Sequence, residues 1–294
     1  MLKRHAYDQL LNWKNRKTKQ GLLITGARQV GKTTLIEQFG ADHYEHVAKV
    51  NFIEMPQAVE TVSKAKDTED LILRLSVLSG TEITPGKTLL FLDEMQACED
   101  MLTWTKFLSG AKGLDVIVSG SLLGIDVFNV RSIPVGFLQT MRMYPLNFYE
   151  FCAACRLPQP ALDTLRECYV DRREVPDYLH ERLTDLWYKY LLIGGMPDAV
   201  QSFVDSADIV KVRNTQQAIF DTYEYDITKY VSDLVERRHI KSIYEAIPSQ
   251  LNAENNDSSS PSWARISGSL ICRRRFDWFG ERRYRLAYFA RARP

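Results

Sequence analysis

The sequence has no apolar run approaching the ~18 residues that cross a bilayer. Its longest are short stretches such as Thr88-Leu-Leu-Phe-Leu92. The start, Met1-Leu-Lys-Arg-His5, lacks the apolar middle of a signal peptide. Five cysteines in 294 residues are too few, and odd in number, for a disulfide scaffold. Nor is there a surplus of charge: 38 Lys and Arg stand against 37 Asp and Glu, a formal net charge of +1. For the chain as a whole, that balance argues against a strongly basic nucleic-acid binder and an acidic solvating tail. With 45% hydrophobic and 26% charged residues, the chain can bury a core. We expect a soluble, cytoplasmic protein without a membrane segment.

The average hides a split at Asn256. Residues 257–294 hold nine Arg, no Lys and three acids, a net +6, which leaves 29 basic and 34 acidic residues and a net −5 upstream. The tail opens with the loop-like run Asp257-Ser-Ser-Ser-Pro-Ser262.

Gly26-Ala27-Arg28-Gln29-Val30-Gly31-Lys32-Thr33 is a complete G-x-x-x-x-G-K-T pattern. The apolar Leu22-Leu-Ile-Thr25 before it reads as a strand, and Thr34-Leu-Ile-Glu-Gln-Phe39 after it as a helix. Strand, glycine loop and helix suit phosphate: glycines let the backbone wrap close, and the helix N-terminus attracts anions. Residues 26–34, from Gly26 to Thr34, are the expected nucleotide contacts. Lys32 would reach the β- and γ-phosphates and Thr33 would ligate Mg²⁺.

Thr88-Leu-Leu-Phe-Leu-Asp93-Glu94 reads as a buried parallel strand with carboxylates at its C-terminal edge. Asp93 would share the Mg²⁺ and Glu94 would polarise an attacking water. A third strand, Asp115-Val-Ile-Val118, ends in Ser119-Gly-Ser121. In P-loop ATPases with an adjacent Asp-Glu pair, such a strand lies between the other two. Its terminal hydroxyl then hydrogen-bonds near the γ-phosphate; Ser119 and Ser121 both qualify. No Asn/Thr-Lys-x-Asp base-reading motif is present, which favours ATP over GTP.

Five motifs stand in the order of one family: Gly26 to Thr33, Phe91-Leu-Asp-Glu-Met-Gln96, Ser119-Gly-Ser-Leu-Leu-Gly124, Tyr144-Pro-Leu-Asn-Phe-Tyr-Glu-Phe151 and Gly194-Gly-Met-Pro197. Over residues 1–256 the chain resembles the prokaryotic AAA-type ATPases whose P-loop domain precedes a domain of unknown function. The resemblance implies an α/β, AAA+-like parallel sheet with helices on both faces, followed by a mostly helical region. We therefore expect an ATPase domain at 1–150, a helical region with the start of a winged helix at 151–256, and an atypical tail at 257–294. Where relatives carry a Gly-Arg pair, this chain has Gly136-Phe137; Arg142 and Arg131 are nearby but read better as surface charges.

The expected activity is Mg²⁺-dependent ATP hydrolysis. Its alternatives are a nucleotide-gated interaction module with negligible turnover and a DNA-associated ATPase; a second copy or another protein is a possible partner. Residues 179–191 carry an amphipathic stripe, and Gly194-Gly195 reads as a helix stop with Pro197 opening the next helix. A further helix is expected from about Ser206 to Val231. Asp226 and Lys229 read as a surface ion pair. Cys152-Ala-Ala-Cys155 lacks the two further ligands that zinc needs, so buried helix cysteines are the better reading. The tail interleaves Arg with Phe, Trp and Tyr as single-strand binders do. We favour the other reading, a segment that is out of frame or otherwise unrelated to the family.

Overall fold

The computed structural model describes residues 2–16, 20–111, 113–121, 136–230 and 233–251. The chain divides into two compact units, one ending at Gln216 and the other starting at Gln217. Arg131 and the Arg-rich tail lie outside the described residues.

The first unit is built on strands β1 (Gly21–Gly26), β2 (His46–Asn51), β3 (Thr88–Asp93), β4 (Asp115–Ser121) and β5 (Leu138–Arg142). All pair in parallel, in the order β2-β3-β4-β1-β5. β4 therefore separates the glycine-loop strand from the Asp-Glu strand, as the motifs required. Helices α1 (His5–Lys14), α2 (Lys32–His43), α3 (Pro56–Ser63), α4 (Thr68–Ser79) and α5 (Glu99–Gly110) accompany the sheet.

The continuous apolar runs are explained by burial on both faces. Side chains alternate along a strand, so every second residue joins a different core. Leu23, Leu90, Leu92, Val116 and Val118 pack with residues of α3, α4 and α5. Leu22, Ile24, Leu89, Phe91 and Ile117 pack on the opposite face with residues of α1 and α2. Because both faces are covered, the sheet leaves its C-terminal edge as the place where polar groups can act.

Beyond the sheet come α6 (Phe148–Ala154), α7 (Gln159–Asp171), α8 (Asp177–Ile193), α9 (Pro197–Ser206), α10 (Ile209–Tyr230) and α11 (Leu234–Leu251). Asn147 and Glu150 form a reciprocal capping box that starts α6. The amphipathic stripe of α8 buries Leu179, Leu183, Leu186 and Tyr190 in a third core with Phe151 and Val200. Cys152 is buried there and Cys155 half-buried; burial pushes the Cys152 thiol up to about 12. Among the described residues, no three His, Cys, Asp or Glu side chains gather as a metal site.

Gly194 ends α8 with a positive φ of +74°, and Pro197 opens α9. Gly195 is constrained by its neighbour: a Cβ there would lie 2.2 Å from the Leu146 carbonyl oxygen, and Leu146 N donates to Gly195 O at 2.6 Å. Gly195→Ala should therefore cost about 1–3 kcal/mol by forcing two backbones apart. A urea titration checks it, and an unchanged midpoint would show that the segment yields freely.

The helix expected from about Ser206 to Val231 is present as α10, Ile209–Tyr230. Ala207 takes a left-handed φ of +51° after α9, and Asp208 Oδ1 accepts from Val210 N at 2.8 Å as α10 begins. In the second unit Asp226 is no surface residue: it is 2% exposed, two helical turns from buried Ile219 on the same face of α10. The Lys229 side chain lies outside the described residues. In that unit the Phe220 and Tyr244 rings stack at 5.0 Å, and Lys241 meets Glu224 at 3.4 Å.

Candidate functional site

The glycine loop leaves the C-terminal end of β1. At Gly26 a Cβ would stand 2.3 Å from the Met143 carbonyl oxygen, so only glycine lets the loop start so close to its neighbour. Gln29 and Gly31 have positive φ, +59° and +86°. This curls the loop into α2, whose first turn has no side-chain cap. Its N–H groups are thus left to an outside acceptor. Val30 is fully buried and anchors the loop, while Thr34 is exposed.

Lys32 is only 7% exposed, and its Nζ donates to Gly26 O at 3.0 Å and Ala27 O at 2.9 Å. Burial pulls the ammonium below the usual lysine range; the Glu94 and Asp93 charges oppose that shift, and Arg28 adds to it. Two cations and two carboxylates thus share one edge of the sheet.

Asp93 joins residues from four elements. Its Oδ2 accepts from Thr33 Oγ1 at 3.0 Å and from Asn51 Nδ2 at 3.4 Å. Its Oδ1 accepts from Ser119 Oγ and from Glu94 N at 3.1 Å. Buried at 2% exposure, the carboxylate has a partner for each oxygen. The pairing of Thr33 with Asp93 follows from strand order, which sets α2 and the end of β3 side by side. The donor set fits Mg²⁺, which takes hard oxygen ligands from a hydroxyl and one or two carboxylates. Ser121 pairs through its backbone with Gly26, and its side chain lies outside the described residues. Arg142 is exposed at the end of β5, in register with Thr25.

Four features had no role at the site in the sequence reading. Asn51 ends β2 opposite Asp93 in register. Its Oδ1 also accepts from Ile53 N at 2.9 Å and Glu54 N at 3.1 Å, which fixes the amide. Arg4 donates to Val30 O at 3.0 Å and to Tyr144 O, and its Nε meets Glu150 at 3.3 Å. Gln96 donates to Glu94 Oε2. Pro197 Cγ lies 3.7 Å from where a Gly31 Cβ would stand, so the Gly-Gly-Met-Pro turn borders the loop. Only Gln96 had a local signal, two residues after Glu94. The others are brought in by tertiary contacts.

Among the described residues, no helix is long and apolar enough to cross a membrane. In sequence, the family described as AAA domain matches residues 18–152, and a domain of unknown function (DUF8612) matches residues 184–262. None of the curated proteins matches the chain. Several solved structures are similar. Drosophila ORC bound to DNA shares 14% identity over 92% of this chain and 75% of that one, with a TM-score of 0.39. Caenorhabditis elegans PCH-2 shares 11% over 72% and 65%, at 0.39. Cdc6p from Pyrobaculum aerophilum shares 14% over 50% and 46%, at 0.32. The chain thus carries an AAA domain, followed by a segment that matches a domain of unknown function.

Proposed function

We propose that the chain binds ATP with Mg²⁺ and hydrolyses it, residues 1–150 forming the ATPase domain and 151–256 the region that follows it. The observation that carries this reading is the meeting of Thr33 and Asp93, 3.0 Å apart and from two separate motifs, beside the buried Lys32. Lys32 and the backbone N–H groups of residues 26–34 hold the phosphates. Thr33 and Asp93 would hold Mg²⁺, which when bound neutralises phosphate charge. Ser119 and Asn51 keep Asp93 in place from either side. Glu94, half-buried beside Asp93, is the base that polarises water.

Phosphate release from ATP tests the reading directly. Turnover should be present with Mg²⁺ and fall to background with excess EDTA. Tight ATP binding with no release under any assembly condition would instead favour a nucleotide-gated interaction module. DNA-dependent turnover would favour the DNA-associated ATPase.

A further inference from the structure

Glu94 lies where β3 turns into the short 3-10 turn Met95–Ala97, and its backbone is left-handed at φ +54°. An L-residue adopts that conformation at a cost, so something must hold it. Two residues on, Gln96 is 9% exposed, and its Nε2 donates to Glu94 Oε2. Its own Oε1 is buried without a hydrogen-bond partner. Exchanging the amide O and N would set oxygen against carboxylate and bury an unpaired NH₂ instead, so the orientation stands. A buried amide oxygen with no partner is destabilising, whereas a methionine of similar size would fill the same place without that penalty. Stability alone therefore favours an apolar residue at position 96. What the carboxamide adds is its bond to Glu94.

We propose that Gln96 is a positioning residue, whose NH₂ group holds the Glu94 carboxylate oriented toward the attacking water. The proposal rests on the ATPase reading. In the step it serves, the water oxygen bonds to the γ-phosphorus and the bond to the bridging oxygen breaks. ADP leaves with that electron pair, and Glu94 accepts the water's proton. Gln96 touches none of the reacting atoms; it fixes the direction of the carboxylate that does.

The test uses the full chain carrying Gln96→Met, Glu94→Gln or both. Gln96→Met should melt no lower than the parent and keep its affinity for a fluorescent ATP analogue. Its KM should stay the same while kcat falls ~10–100-fold, the usual loss when a supporting hydrogen bond is removed. Affinity for ADP with aluminium fluoride should weaken by a similar factor, since that complex mimics the transition state. The double variant should be no slower than Glu94→Gln alone, because both act through one group. Gln96→Asn, its amide drawn back by one methylene, should lose the same rate. If Glu94→Gln is inactive and Gln96→Met fully active, this inference fails while the ATPase reading survives. A lowered melting temperature with weakened ATP-analogue binding in both Gln96 variants would make Gln96 structural and also overturn it. A fully active Glu94→Gln would remove the base itself, a failure of the underlying reading that is distinct from either.

Discussion

Glu94→Gln is expected to bind ATP as the parent does and to release phosphate at least ~100-fold more slowly, the contribution typical of a positioned general base. The change keeps the shape and the backbone bond from Glu94 N to Asp93 Oδ1, but removes the charge that draws a proton from water. Lys32→Ala should act on the other side of the reaction. It removes a buried cation seated on the loop carbonyls of Gly26 and Ala27. Nucleotide affinity should fall by about 2 kcal/mol or more, ~30-fold in Kd. Titration with a fluorescent ATP analogue, followed by single-turnover phosphate release, separates the two effects. An active Glu94→Gln protein would refute the assignment of the base, and unchanged affinity in Lys32→Ala would refute the phosphate role of the loop lysine.

The second large effect is expected at Arg4, far from both motifs in sequence. Arg4 and Glu150 are each only 7% exposed in their side chains and meet at 3.3 Å. Glu150 also accepts from His5 N at 2.7 Å and Asn147 N at 2.9 Å, so it ties the chain start to the α6 cap. Arg4→Ala leaves that carboxylate buried without its cation, a loss of about 3–5 kcal/mol. It also frees the Val30 carbonyl inside the glycine loop. Urea unfolding should therefore show a large shift, together with weaker nucleotide binding. The exposed pair Lys64–Glu60, at 64% and 72% side-chain exposure, is the control, and Lys64→Ala should change nothing measurable. Equal shifts for the two variants would mean that burial gives the Arg4–Glu150 pair no special weight.

Much of the architecture was legible because its signals are local. A run such as Thr88 to Leu92 has to be covered on both faces, which requires a parallel sheet with helices on either side. Glycine and proline marked the end of α8 and the start of α9 by their backbone limits alone. The start of α10 was legible as well, within a few residues of the expected Ser206. The burial of Asp226 was not. An acid on a helix is normally solvated, and only packing in the second unit turns this one inward.

By itself the sequence determined the glycine loop, the Asp-Glu strand and the helical region, since each depends on residues a few positions apart. The tertiary structure alone decided which side chains surround Asp93. Ser119 and Asn51 reach it because β4 and β2 flank β3, and strand order is not written in any one segment. Likewise Arg4 finds Glu150 across 146 residues, and Pro197 meets the glycine loop across a similar span. Such contacts arise when distant apolar faces close on one another, and the polar partners are carried along by that closure.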